Sequence, residues 1–273
     1  MLLKYLLGAN LIFFKHNVIC RKTDIYHKWL ESCTDAFICV SKLVYDMQTE
    51  GIIAKKARDK YYLVHNGVNP RRFISEVREK KREGRFVIGF AGRLHANKGI
   101  FELLEAMKPL HERYPNIVAE LWGEGDEEDV RAICAYLETN DMNGYVRLCG
   151  FSRDMAAVYA RFDAAVFPSK VREAFGLAVC EAMYCGVPVV TSASGAQIEM
   201  AEHLRNAFIL PGVSSVAIAD AIVFFRENET ERKRIAACGR ESVRERFTIG
   251  RTVDGILAVT EALHDGKHEG VVR

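Results

Sequence analysis

The stretch DAAVFPSKVREAFGLAVCEAMYCGVPVVT, residues 163–191, decides the fold. Its first part, an apolar run at 164–167 closed by Pro168, reads as a buried strand ending at a loop. Its last part, Gly186-Val187-Pro188-Val189-Val190-Thr191, reads as a helix stop followed by a second buried strand. The residues between have the length of one short helix. Strand, helix and strand of this size make a right-handed βαβ unit, whose ligands lie at the carboxyl ends of the strands. Glu173, Phe175, Gly176 and Leu177 fall on that edge.

Glu173 and Glu181 are two carboxylates with seven residues between them, spanning a loop, a glycine and the first turns of the helix. If the helix follows a strand, its free N–H groups and positive dipole end face a ligand phosphate, with one acid on either side. That layout suits a phosphorylated sugar donor. Gly176 permits the close backbone approach that a side chain would block. Taken alone, the two acids read better as ordinary first-turn and surface helix carboxylates near a favourable dipole.

Outward from this unit, short apolar runs alternate with amphipathic helices. Strands are expected at 86–91, 117–122, 145–149, 164–167, 187–191 and 207–210. Helices are expected at 99–113, 126–138, 154–161, 176–185, 197–203 and 215–226. Alternation of this kind argues a parallel, doubly wound α/β sheet, complete over residues 86–248. A further helix near 230–245 precedes a last one at 249–264. Arg93 and Lys98 flank the turn after the strand at 86–91, so a planar guanidinium fork and an ammonium point charge can reach one diphosphate.

Residues 1–75 read as a separate, shorter unit, joined by the charged linker 76–85, EVREKKREGR. The opening MLLKYLLGANLIFF is apolar, yet short for a membrane-spanning helix and interrupted by Lys4. We read it as a helix ending at Gly8 and a buried strand at 11–14. A complete unit of this class needs about 100 to 150 residues. At about 30 residues per βαβ unit, the first unit is expected to lack two or three of them.

Hydrophobic residues make up 49% and charged residues 27% of the 273 positions, enough for a large core and against disorder. A formal net charge of +2 gives no argument for a nucleic-acid partner. The eight cysteines show no C-x-x-C and no Cys/His spacing for zinc, so reduced thiols in a cytosolic protein are the simplest account. Arg78, Lys80, Lys81, Arg82 and Arg85 suit peripheral contact with an anionic membrane. The interleaved Glu76, Glu79 and Glu83 suit a solvated linker helix as well. Gly123-Glu124-Gly125 lacks the third glycine of a dinucleotide fingerprint, and the nearby Glu127 and Glu128 oppose a pyrophosphate.

The E-x7-E pair followed by GVPVV resembles the retaining glycosyltransferases of glycosyltransferase family 4. Other stretches resemble that family in the same order: VIGFAGRLHANKGIFELLEAM with Gly92, Arg93, Lys98 and Gly99 in matching places, LWGEGDEEDVRAI, VRLCGF, SASGAQIEM and RNAFILPG. Upstream, FICVSKLVYDM and YLVHNGVNPRRF are similar to the segments closing its N-terminal domain. The matches span residues 16 to 265, and their ordered spacing is more specific than any one motif.

The resemblance implies a GT-B fold: a complete C-terminal Rossmann-like domain, a truncated N-terminal one on the acceptor side, and residues 249–273 packing back on it. It implies transfer of a hexose or related sugar from a nucleotide sugar to a saccharide or lipid-linked acceptor in cell-envelope or polysaccharide biosynthesis, in the cytoplasm or at the inner face of the membrane. A noncatalytic nucleotide-sugar-binding fragment is the alternative. No metal or other cofactor is expected: Gly92, Arg93 and Lys98 would hold the leaving diphosphate, an electrostatic task of large catalytic weight. Glu181 would accept the ribose hydroxyls. Glu173, with the backbone N–H groups of Phe175, Gly176 and Leu177, would contact the transferred sugar. Backbone groups at the strand end Leu148 to Phe151 would meet the nucleobase, and His16 would face the interdomain cleft. Glu199 matches a family glutamate that follows two glycines, the second of which is Ala196 here.

Overall fold

The computed structural model describes residues 9–73 and 84–265. The helix end expected at Gly8 and most of the linker 76–85 lie outside the described residues. The first unit is a three-stranded parallel sheet, β1 (Ile12–Lys15), β2 (Ala36–Cys39) and β3 (Tyr61–Leu63), in that spatial order. Its helices are α1 (Ile25–Cys33), α2 (Lys42–Thr49) and the single turn α3 (Lys55–Arg58). Each longer helix starts at a side-chain cap that takes up an otherwise orphaned amide: Asp24 accepts from His27 N, and Ser41 from Val44 N. Central β2 is wholly buried. β1 was expected to be buried, but as the sheet's outer strand it leaves Phe14 45% exposed.

The second unit contains β4 (Phe86–Ala91), β5 (Ile117–Trp122), β6 (Val146–Gly150), β7 (Ala164–Phe167), β8 (Val189–Ser192) and β9 (Phe208–Leu210). All pair in parallel, in the spatial order β6-β5-β4-β7-β8-β9. The order reverses between β4 and β7. A crevice for ligand is therefore expected at their carboxyl ends, where Gly92 and Ser169 sit. The helices are α4 (Ile100–Arg113), α5 (Glu127–Thr139), α6 (Met155–Ala160), α7 (Leu177–Tyr184), α8 (Ser215–Glu227), α9 (Glu229–Arg246) and α10 (Ile249–His264).

Two cores cover the two faces of this sheet. One buries Leu103 and Met107 of α4, Ile133 and Leu137 of α5, and Ile218, Ile222 and Phe225 of α8. The other buries Val158 and Tyr159 of α6 and Val179 and Met183 of α7, and runs on into Phe37, Val44 and Tyr61 of the first unit. The chain crosses between units twice at one place, where Val68 N donates to Phe247 O at 2.8 Å and Ile249 N donates to Val68 O at 2.8 Å. α10 then returns to the first sheet, where Val259 is buried with Ala36, Ile38, Tyr62 and Val64.

One expected helix is absent. Residues 197–203 form only a 3₁₀ turn, Ala196–Glu199, and then an irregular loop. The reason is local chemistry: the Asn206 amide accepts from Glu202 N at 2.7 Å and donates to Met200 O at 3.0 Å, satisfying backbone groups that a helix would have paired. The strand expected at 187–191 starts later, at Val189, because Pro188 has no N–H for a ladder.

Candidate active site

The crevice at the β4/β7 reversal is a cavity of about 430 Å³. The loop after β4 contributes Gly92, Arg93 and Lys98, the loop after β7 contributes Ser169 and Glu173, and α7 begins there with Gly176 and Leu177. Gly176 has φ +93°, a left-handed conformation that lets the chain turn directly into the helix. No side chain caps α7, so its first N–H groups and positive dipole end are left for a ligand anion.

Lys98 Nζ lies 2.5 Å from Glu173 Oε1, and Ser169 Oγ donates to the same oxygen at 2.8 Å. Glu173 is also held by its backbone. Its N–H donates to Ser194 O at 3.3 Å, and its carbonyl accepts from Ala196 N at 2.9 Å. This bridge requires glycine at 195, with φ +86°, because a Cβ there would sit 2.4 Å from Glu173 N. Among the described residues Arg93 has no ion-pair partner. It remains available for a phosphate.

A second cavity of about 320 Å³ adjoins the first along Ala91, Gly92, Arg93 and Ala178. Glu181, Tyr159, Trp122, Phe151 and Arg72 line it. The Tyr159 hydroxyl donates to Glu181 Oε2 at 3.2 Å. Burial pushes the Glu181 carboxyl above its ordinary range, opposed by that hydrogen bond and by the nearby Arg72 charge. Burial likewise pushes the Tyr159 phenol well up, with the Glu181 charge adding to it.

Under the floor of this cavity, Glu120 is 4% exposed and forms a fork with Arg161, through Nε at 2.7 Å and Nη2 at 2.6 Å. Trp122 Nε1 donates to Glu120 Oε2 at 3.2 Å, which fixes the indole that lines the cavity. Burial pushes the Glu120 carboxyl up, but the hydrogen bonds from Arg161 and Trp122 outweigh it and hold the group below the usual range.

Gly92, Arg93, Lys98, Glu173, Gly176, Leu177, Glu181 and Phe151 are thus brought to one continuous crevice. Leu148, Phe175 and His16 lie outside its lining. Leu148 packs on the core that carries α4 and α5, because its side chain leaves the sheet on that face. The Phe175 ring is buried between His65 and Phe247, at centroid distances of 6.2 Å and 5.8 Å, so only its backbone is left to meet a ligand. His16 is exposed, stacked on Phe14, and lines neither cavity, because it follows the outermost strand of the first sheet.

Arg72, Tyr159 and Ser169 were missed. Arg72 arrives on the 3₁₀ turn Pro70–Phe73, held in place where Phe73 meets Tyr159 and Tyr184. Only the basic pair in NPRRF marks it in the sequence, and its partner Glu181 is more than a hundred residues away. Among the described residues, no group of three or more His, Cys, Asp or Glu is arranged to hold a metal ion. No helix among them is long and apolar enough to cross a membrane.

The family model for glycosyl transferases group 1 matches residues 72–242. The chain is 31% identical over 205 residues to the phosphatidyl-myo-inositol mannosyltransferase of Mycobacterium leprae, covering 73% of this chain and 53% of that protein. It is 26% identical to the putative glycosyltransferase EpsD of Bacillus subtilis, covering 87% of this chain and 63% of that one. It therefore spans between about half and two thirds of the length of these relatives. The crystal structure of Anabaena Alr3699/HepE in complex with UDP-glucose superposes with a TM-score of 0.81 at 21% identity, over 97% of this chain and 74% of that one.

Proposed function

Because the chain belongs to the glycosyl transferases group 1 family and has an α/β fold of the GT-B type, we propose that it moves a sugar from a nucleotide-sugar donor to a saccharide or lipid-linked acceptor with retention of anomeric configuration. The observation that carries this reading is the pair of joined cavities, with an unpaired arginine where they meet, a helix tip, Glu173 in the first and Glu181 in the second. The nucleoside lies in the cavity of Glu181, Trp122 and Phe151, and the ribose hydroxyls donate to Glu181. The diphosphate lies over Arg93, Lys98 and the start of α7, and the sugar reaches Glu173.

In the reaction the acceptor oxygen bonds to the anomeric carbon as the bond from that carbon to the diphosphate oxygen breaks. The acceptor proton passes to the departing phosphate. Attack on the face from which the diphosphate leaves preserves configuration. Arg93, Lys98 and the helix dipole stabilise the charge that develops on the leaving group. Glu173, bound to Lys98 and Ser169, orients the sugar hydroxyls and adds negative potential beside the electron-poor sugar ring. The biosynthesis of envelope or extracellular polysaccharide is the setting that suits this chemistry, and a lipid-linked acceptor would bring the protein to a membrane surface.

The test is transfer and donor hydrolysis over a panel of nucleotide sugars, comparing the chain with Glu173→Ala and Arg93→Ala. Loss of about 10²-fold in turnover is expected for each. Equal turnover in the variants rejects the site. Donor binding without turnover in the unaltered chain favours a noncatalytic nucleotide-sugar-binding protein instead.

A further inference from the structure

The 3₁₀ turn Ala196–Glu199 is held at both ends, and the two ends belong to different parts of the molecule. At its near end Ala196 N bonds the Glu173 carbonyl at 2.9 Å, and Gly195 lies against the Glu173 backbone. At its far end the Glu199 carboxylate accepts three hydrogen bonds from the first unit: Lys42 N at 2.8 Å, Leu43 N at 2.9 Å and His65 Nε2 at 2.9 Å. The two amides open α2, where Ser41 already caps Val44, so a carboxylate from another unit completes the N-terminus of this helix. Arg246 Nη2 donates to the Glu199 carbonyl at 3.1 Å and fixes its backbone. These bonds hold the Glu199 carboxyl below its ordinary range, against the upward push of burial.

We propose that Glu199 is a positioning residue: by fastening the far end of this turn to α2 and His65, it fixes where the near end holds Glu173. The turn between is four residues of closely bonded backbone, too short to absorb a displacement of one end without moving the other. The placement of the acid in the crevice is thereby set by the attachment of the first unit. The inference concerns the site proposed above, yet its primary readout needs no donor and no turnover.

The experiment is hydrogen exchange on the full chain and on Glu199→Ala, Glu199→Gln, His65→Ala and His65→Gln. Peptides covering 170–177 and 193–199 are compared with one covering β4. In Glu199→Ala, exchange of the Glu173 and Ala196 amides is expected to quicken about tenfold with β4 unchanged. His65→Gln, which retains a side-chain N–H donor, is expected to recover protection that His65→Ala loses. Unchanged exchange at 173 and 196 overturns the proposal, and so does a uniform increase that includes β4, which marks only lower global stability.

Titration with uridine diphosphate separates this result from the reading of the site. Affinity within about twofold of the original is expected for Glu199→Ala, since Arg93 and Lys98 stand outside the bracket. A proportionate loss of that affinity overturns the assignment to Glu173. Where donor turnover is measured, Glu199→Ala is expected to lower kcat about tenfold with donor KM steady. An unchanged kcat overturns the functional part of the proposal. Failure of the unaltered chain to bind any nucleotide is a failure of the glycosyl-transfer reading, and exchange still decides the role of Glu199.

Discussion

Lys98 and Glu173 neutralise one another inside the crevice, Nζ to Oε1 at 2.5 Å, although 75 positions separate them in the chain. A ligand diphosphate competes with Glu173 for the same ammonium. Glu173→Ala is therefore expected to leave nucleoside diphosphate affinity equal or higher while transfer falls about 10²-fold. Lys98→Ala is expected to weaken the same ligand about tenfold or more. Calorimetric titration beside a transfer assay checks both, and parallel losses in the two variants reject the competition.

Glu181 gives a pH signature. Its folded carboxyl is raised by burial, so ionisation is easier in the unfolded chain. The ionisation cost is absent below the unfolded pKa of about 4.3, grows as pH rises from there to the folded pKa, and is constant above it. Glu181→Gln is expected to match the parent Tm near the lower limit and to exceed it by about 2 °C at neutral pH and above. Nucleotide affinity is expected to fall about tenfold in the same variant. Melting curves across pH read the first effect, and a Tm difference that shrinks with rising pH contradicts it.

Arg161→Ala leaves Glu120 buried and without its guanidinium fork. Removing one member of such a pair costs about 3–5 kcal/mol. A Tm lower by about 10 °C is expected, measured by calorimetry. A loss under about 1 kcal/mol would show that water replaces the fork.

Gln197 is 2% exposed and lines the sugar-side cavity. Its Oε1 accepts from Ser192 Oγ at 3.3 Å, and among the described residues its Nε2 has no hydrogen-bond partner. Gln197→Leu is expected to weaken an intact nucleotide sugar about tenfold while the nucleoside diphosphate binds within about twofold. Equal effects on both ligands would place this amide away from the sugar.

The sheet of the second unit was legible because its central strands β4 and β7 are apolar on both faces and its longer helices have one apolar face. Both patterns are local, and the carboxyl edge that carries Arg93, Lys98, Glu173 and Glu181 follows from chain order alone. What escaped was pairing over distance. Tyr159 reads as one more buried aromatic of α6 until α7 sets Glu181 against its hydroxyl. Glu199 matches a family glutamate, yet nothing local in the chain names α2 as its partner. His16 lies outside both cavities for the opposite reason: a residue's position at a strand end does not say which edge of the sheet carries it.

Arg93 stands on the wall shared by the nucleoside cavity and the sugar cavity. Each compartment can therefore be screened with a small fragment of its own, and two weak fragments that grow toward this arginine can be tethered. The span to be bridged is short, so the tether confers an effective concentration in the millimolar range. Inhibitor chemistry can then begin from pieces far simpler than any sugar nucleotide.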